Sequence, residues 1–318
     1  MTERPGRATG ALPRGNQTGR GAVGRAVSNA LVLGAGGAVG LAFNAGVVRA
    51  LEVDGPFPPA AADLVVGTSA GAAVAAALRA GVAAAEIVAA VGSPPSAEER
   101  AALLEEVRSA PRSIKPLAPG LARHALPGGG GAVLAASGLL PPGVFPAAWL
   151  ERFPGVSGHE DWPEGLWIPA VRADDGSVVV FGRDRRDVPV AAAVQASCAV
   201  PGMFRPPHID GVPHLDGGTV SPTHAAEVAA AGVELVVISS PMTRPSRRVL
   251  ARHARRRLAA ETRVLTDAGV TVVVVEPPAE LTALARGFPR RGPGAAAVVA
   301  AMAEDAARRA LRALARTG

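Results

Sequence analysis

Residues 62–78 read ADLVVGTSAGAAVAAAL, a short aliphatic run that stops at Gly67 and gives way to an alanine-rich segment. Leu64, Val65 and Val66 have the composition of a buried strand, and the alanines from 70 onward are the strongest helix formers available. Between them stands Gly67-Thr68-Ser69-Ala70-Gly71, the pattern G-x-S-x-G. That pattern suits a sharp strand-to-helix turn, which holds a serine Oγ at the edge of a sheet. Small flanking residues are required because the turn is strained and its backbone packs closely. In a chain rich in Ala, Gly and Val an isolated match says little. The strand before it and the helix after it are what give it meaning.

Working outward, strand-like and helix-like segments alternate along the chain, which predicts an α/β fold around a mainly parallel sheet. Strands are expected at 29–33, 63–67, 166–172, 177–181, 234–239 and 270–275. Helices are expected after the glycine turn through about Val53, from the Ser69 turn to about Ala80, and at 97–109, 188–196, 246–267 and 294–315. The stretch 110–147 is rich in Pro and Gly, with PGGGG at 127–131, and reads as a loop or mobile cap over the 29–318 domain. In the basic segment 244–257, RPSRRVLARHARRR, helical spacing turns Val249, Leu250 and Ala254 toward the core and the arginines toward solvent.

A chain of 318 residues with 48% hydrophobic residues is long and apolar enough for a sizeable core. Its net charge of +6 is almost wholly arginine, Lys115 being the only lysine. The excess reads first as a bias toward Ala, Arg, Gly and Pro, and nucleic acid is not expected as a partner. One cysteine, Cys198, cannot form an internal disulfide and fits a reducing compartment. Residues 1–28 carry arginines without a continuous apolar core, so a disordered basic arm is expected rather than a secretory signal. A cytoplasmic protein, peripheral at most to a membrane, follows.

The first turn, LVLGAGGAVGLAF at 31–43, carries Gly34, Gly36 and Gly40. A dinucleotide site would need an acidic residue ending the next strand, and that strand ends in Gly67-Thr68-Ser69. The chain has no tyrosine for a reductase dyad and no G-K-[ST] for a phosphate loop. What remains is an oxyanion hole, in which glycine amides and the positive end of a helix converge on a developing negative oxygen. The serine also needs a base. Asp216, before Gly217 and Gly218 in HLDGGTVSPTH, offers a carboxylate on a turn, provided burial raises its pKa. His214 and His224 keep a Ser-His-Asp triad open as an alternative.

Together these pieces resemble the patatin-like phospholipase family, whose members pair a glycine-rich loop, a G-x-S-x-G serine and a D-G-[GA] aspartate. The loop aligns as Ala35-Gly36-Gly37-Ala38-Val39-Gly40, and QASCAVPGMFRPP at 195–207 resembles the segment that precedes the family's aspartate. The resemblance covers about residues 29–230. It implies a three-layer α/β sandwich and a Ser69–Asp216 dyad, with an oxyanion hole from the Gly36, Gly37 and Ala38 amides. It implies a lipid ester substrate, with neither metal nor cofactor. Gly34, Gly40, Gly67, Gly71, Gly217 and Gly218 are its supporting glycines. Two departures stand out: the family's loop arginine is Val39 here, and its first glycine is Ala35. They motivate a second reading, a weak or inactive relative that binds lipid or a partner. The loop SGLLPPGVFPAAWL at 137–150 raises membrane contact through Leu139, Leu140, Val144, Phe145 and Trp149, against the alternative that these side chains pack on the sheet.

Overall fold

The computed structural model describes residues 28–93, 95–125, 131–244, 248–282 and 294–316. Its strands are β1 Asn29–Leu33, β2 Leu64–Gly67, β3 Leu166–Arg172, β4 Val178–Phe181, β5 His208–Ile209, β6 Val212–Asp216, β7 Leu235–Ser239 and β8 Thr271–Val275. Its helices are α1 Gly37–Asp54, α2 Ala70–Arg79, α3 Ala84–Gly92, α4 Ala97–Ser109, α5 Ala132–Gly138, α6 Val190–Ser197, α7 Val249–Asp267 and α8 Gly294–Leu314. The expected arm at 1–28 lies, apart from Ser28, outside the described residues. Ser28 itself is tied down, its amide and hydroxyl donating to Asp63 Oδ2.

One sheet runs in the order β5-β6-β3-β2-β1-β7-β8, with β4 also paired to β3. β1, β2, β3, β7 and β8 are parallel, and β4, β5 and β6 add antiparallel pairings at one end. Alternation along the strands builds two faces. Leu31, Leu33, Val65, Val237 and Val273 pack with the α1, α2 and α8 residues Phe43, Val74 and Val299. Ala30, Val32, Val66, Val236 and Ile238 pack with Leu258 and Leu265 of α7. Helix, sheet and helix therefore form three layers. α1 and α8 cross closely: a Cβ at Gly46 would sit 2.1 Å from the Ala300 carbonyl oxygen, so only glycine fits there.

Register places the two ends that matter. β2 runs parallel to β3 with Val66 opposite Trp167, while β6 runs antiparallel to it with Asp216 opposite Ala170. The last residues of β2 and β6 thus reach neighbouring positions of β3 from opposite directions.

Three expectations need correction. The 110–147 stretch is not loop throughout: a 3-10 turn at 119–125 and α5 bury Leu121 and Leu134 against Val171 and Leu215 of the sheet. Most of its PGGGG lies outside the described residues. Val249 and Leu250 do not face the core but are 64% and 53% exposed. The buried stripe of α7 is Ala251, Ala254, Leu258, Glu261 and Leu265, whose spacing of three and four sets a phase that excludes both. The β5–β6 hairpin was not expected, because Pro206, Pro207 and Pro213 weaken the strand signal there.

Candidate active site

The serine turn is shaped by contacts too close for a side chain. A Cβ at Gly71 would lie 1.9 Å from Leu33 O, and one at Gly67 would lie 2.6 Å from Gly71 O. Between them Ser69 adopts φ 55° and ψ −119°, left-handed territory for a residue with a Cβ. Such a conformation costs about 1–3 kcal/mol and persists only where neighbours enforce it. The enforcing neighbour is Ser197, at the end of α6. Its Oγ accepts the Ser69 amide at 2.9 Å and donates to Pro169 O on β3 at 2.7 Å.

The Ser69 side chain lies close enough to the Asp216 carboxylate to oppose the rise in its pKa. Asp216 closes β6, its amide donates to Ala199 O at 3.0 Å, and its Oδ1 accepts the Gly218 amide at 2.7 Å. Gly217 is needed because a Cβ would meet Pro169 O at 2.6 Å. Both side-chain-bearing residues are 5% exposed. Burial pushes the Asp216 carboxyl up to about 6, against the opposing effects of the nearby Ser69 side chain and the Gly218 hydrogen bond. A carboxylate so placed is a better base than an exposed one, yet remains mostly ionised at neutral pH.

Cys198 is buried, and its place is specific. Burial together with the nearby Asp216 charge pushes its thiol pKa well up, against a smaller opposing effect of the neighbouring Ser69. It therefore stays a neutral thiol against the serine rather than a competing nucleophile. The segment Ser197-Cys198-Ala199 touches both Ser69 and Asp216.

Neither histidine occupies the base position. His224 is buried and left-handed, and its Nε2 bonds Gly217 O at 3.0 Å, so that nitrogen carries the hydrogen. His214 bonds Val212 O through Nδ1 and tilts against the Phe181 ring. Burial lowers the pKa of both.

The glycine loop is fastened on two sides. Gly34 N donates to Ser239 O at 2.9 Å and Ala35 N to Pro222 O at 2.8 Å. Asn44, buried in α1, donates to Gly34 O and accepts from Ser239 Oγ. Gly36, Gly37 and Ala38 then open α1, where amides have no carbonyl one turn earlier to bond. Gly37 and Ala38 are exposed and Gly36 half-buried, so this end of α1 is open to solvent. Gly37 has φ 57°, which suits glycine. Gly40 stacks on the elbow at Ala70, and Gly218 approaches Ala35, so loop, elbow and Asp216 turn adjoin one another. Val39, where the family has arginine, is buried.

Glu261 was not anticipated. Buried on α7, it accepts from Ser221 Oγ at 2.6 Å, from Thr223 Oγ1, and from Ala225 N at 3.0 Å. It clamps the 217–225 loop, which carries the Asp216 turn at one end and the Pro222 carbonyl that holds Ala35. The available signal was a lone carboxylate on the apolar stripe of α7, visible only with that helix in its true phase. Among the described residues no group of His, Cys, Asp and Glu is arranged to hold a metal.

Residues 31–228 match the family described as patatin-like phospholipase, a span that contains the glycine loop, the elbow and the Asp216 turn. No curated protein matches the sequence. Among solved structures, VipD from Legionella pneumophila is similar at 13% identity, over 91% of this chain and 67% of VipD, with a TM-score of 0.45. The type III effector protein ExoU is similar at 18% identity, over 90% of this chain and 53% of ExoU, with a TM-score of 0.38. This chain spans about half the length of ExoU.

Proposed function

Because the chain belongs to the patatin-like phospholipase family, we propose that it is a serine acyl hydrolase that cleaves fatty-acyl esters of lipids through a Ser69–Asp216 dyad. The observation that carries this reading is a serine at positive φ whose side chain interacts with a buried carboxylate raised to about 6.

Ser69 Oγ attacks the acyl carbonyl while its proton passes to Asp216. The carbonyl oxygen becomes an oxyanion against the amides of Gly36, Gly37 and Ala38, where each donor is worth about 3–4 kcal/mol of barrier. Collapse expels the alcohol, which takes the proton back from Asp216 and leaves an acyl-serine. Water then attacks that ester, gives its proton to Asp216, and the fatty acid departs as Ser69 is reprotonated. Backbone amides do not depend on side chains, so Ala35 and Val39 leave the hole intact. Every step uses groups of this chain, without metal or cofactor. No helix among the described residues is long and apolar enough to cross a membrane.

Hydrolysis of a short p-nitrophenyl ester by the parent, Ser69→Ala and Asp216→Asn proteins tests the reading, with circular dichroism to check folding. Loss of turnover in both folded variants is expected. A parent that neither turns over nor labels with a fluorophosphonate would overturn it in favour of lipid or partner binding by an inactive relative.

A further inference from the structure

Three segments far apart in sequence meet beside the candidate site. Leu117 N and Ala118 N donate to Leu140 O and Gly138 O, both at 2.9 Å. Gly143 N and Phe145 N donate to Phe204 O and Met203 O, and Arg205 N returns to Phe145 O at 2.8 Å. The Phe145 and Phe204 rings lie 6.3 Å apart, and Gly202 abuts Leu140. The third segment leads directly into the site, since Ala199 O accepts the Asp216 amide and Ser197 holds Ser69.

The surface of this junction is apolar where a soluble surface is ordinarily polar. Leu139, Leu140, Phe145 and Met203 of the joined segments are 41–53% exposed, and Ile114, three residues before Leu117, is 97% exposed. A cluster of this kind marks an interaction site rather than ordinary scatter. Within the three segments the charges are cationic, with the exposed Glu106, Glu151 and Asp210 just outside them. Residues 110–118, 137–147 and 198–208 contain Arg112, Lys115, Arg205 and His208 but no Asp or Glu, and the first three cations are exposed.

We infer that this junction is the docking surface for an anionic lipid bilayer. The inference rests on the acyl hydrolase reading for its purpose, though not for its test. Aliphatic and aromatic tips enter the acyl boundary, while the cations remain at the headgroup level. A surface of apolar tips and cations alone complements lipid tails and negative headgroups. Docking here would bring the bilayer to the segment that holds Ser69 and Asp216, so that an acyl chain has a short path to the serine.

The experiment uses the full chain carrying Ser69→Ala, so that vesicles stay chemically intact, and measures co-sedimentation with phosphatidylcholine vesicles with and without phosphatidylglycerol. Binding is expected only to the anionic vesicles, and to weaken with salt. Each cation near such a surface contributes about fivefold. Arg112→Glu with Lys115→Glu is therefore expected to lower partitioning more than tenfold, and Ile114→Ser with Leu139→Ser to lower it comparably. In the Ser69 background, the same substitutions should leave hydrolysis of a soluble short ester unchanged. Vesicle binding that survives both pairs would overturn the inference, as would absence of vesicle binding. Light scattering that shows a dimer dissociated by Ile114→Ser would instead assign the surface to a second copy and overturn it too. If the parent hydrolyses no ester while the vesicle results stand, the hydrolase reading fails and the docking surface does not.

Discussion

Replacing Asp216 by Asn is expected to abolish turnover and stabilise the protein at once. The carboxyl moves from an ordinary 3.8 to about 6 on folding, chiefly through burial. A shift of roughly 2 units is about 3 kcal/mol at 1.36 kcal/mol per unit. The native state holds this proton more tightly than the unfolded chain does. The favourable contribution is complete below about pH 3.8, and it is lost as pH rises through about 6. Above about pH 7 the native protein therefore carries an ionised, desolvated carboxylate at nearly the full cost. Asparagine has no charge to bury, its Oδ1 can still accept the Gly218 amide, and its Nδ2 can donate to Ser69 Oγ. Thermal unfolding of Asp216→Asn at pH 8 should show a gain of up to about 3 kcal/mol, or roughly 6 °C in Tm. Near pH 4 the gain should vanish. Turnover should fall by about 10²–10⁴, the range for loss of a general base. A variant no more stable than the parent at pH 8, or one whose difference is flat with pH, would refute the argument that a desolvated charge is stored at this site.

The parent's pH profile should carry the same signature: kcat/KM is expected to fall about tenfold per unit below roughly pH 6 and to level above it, and a profile flat from pH 5 to 8 would remove Asp216 as the base. Ser197→Ala leaves the Ser69 amide without its acceptor. It should cost about 1–3 kcal/mol of stability and lower both kcat and the rate of fluorophosphonate labelling, with KM little changed. Gly71→Ala drives a methyl to 1.9 Å from Leu33 O and should yield no folded protein, whereas Gly120→Ala, whose nearest neighbour is Arg123 Nη1 at 3.9 Å, should express normally. Glu261→Ala strands two hydroxyls and an amide and should lower stability by about 3 kcal/mol or more in denaturant titration. Glu261→Gln keeps one acceptor oxygen for Thr223 Oγ1 and Ala225 N while its amide nitrogen can donate to Ser221 Oγ, and should lose less.

The elements around the site were largely legible because their signals are local. β1 and β3 occupy their expected ranges, α4 begins at the Ser96–Glu99 capping box, and each strand of the parallel sheet is a short aliphatic run bounded by turn residues. What escaped was short or ambiguous in phase. α5 spans only seven residues inside a Pro/Gly-rich stretch, and the arginine spacing of 244–257 fits more than one helical phase. Leu258 and Leu265, packed under the sheet, decided between them.

At the site itself, Ser69, Asp216 and the loop glycines follow from sequence because a tight turn restricts residue type over four or five positions, which spacing records. The roles of Ser197, Cys198 and Glu261 do not, since each acts on a partner 36 to 129 positions away. Nor could sequence set the Asp216 pKa or show that Val249 and Leu250 lie outside while Leu139 and Met203 gather in one patch. Those properties depend on which surfaces the folded chain removes from water and which charges it leaves near one another. Only the tertiary structure decides them, because desolvation and hydrogen-bond partnership arise from juxtaposition rather than order along the chain.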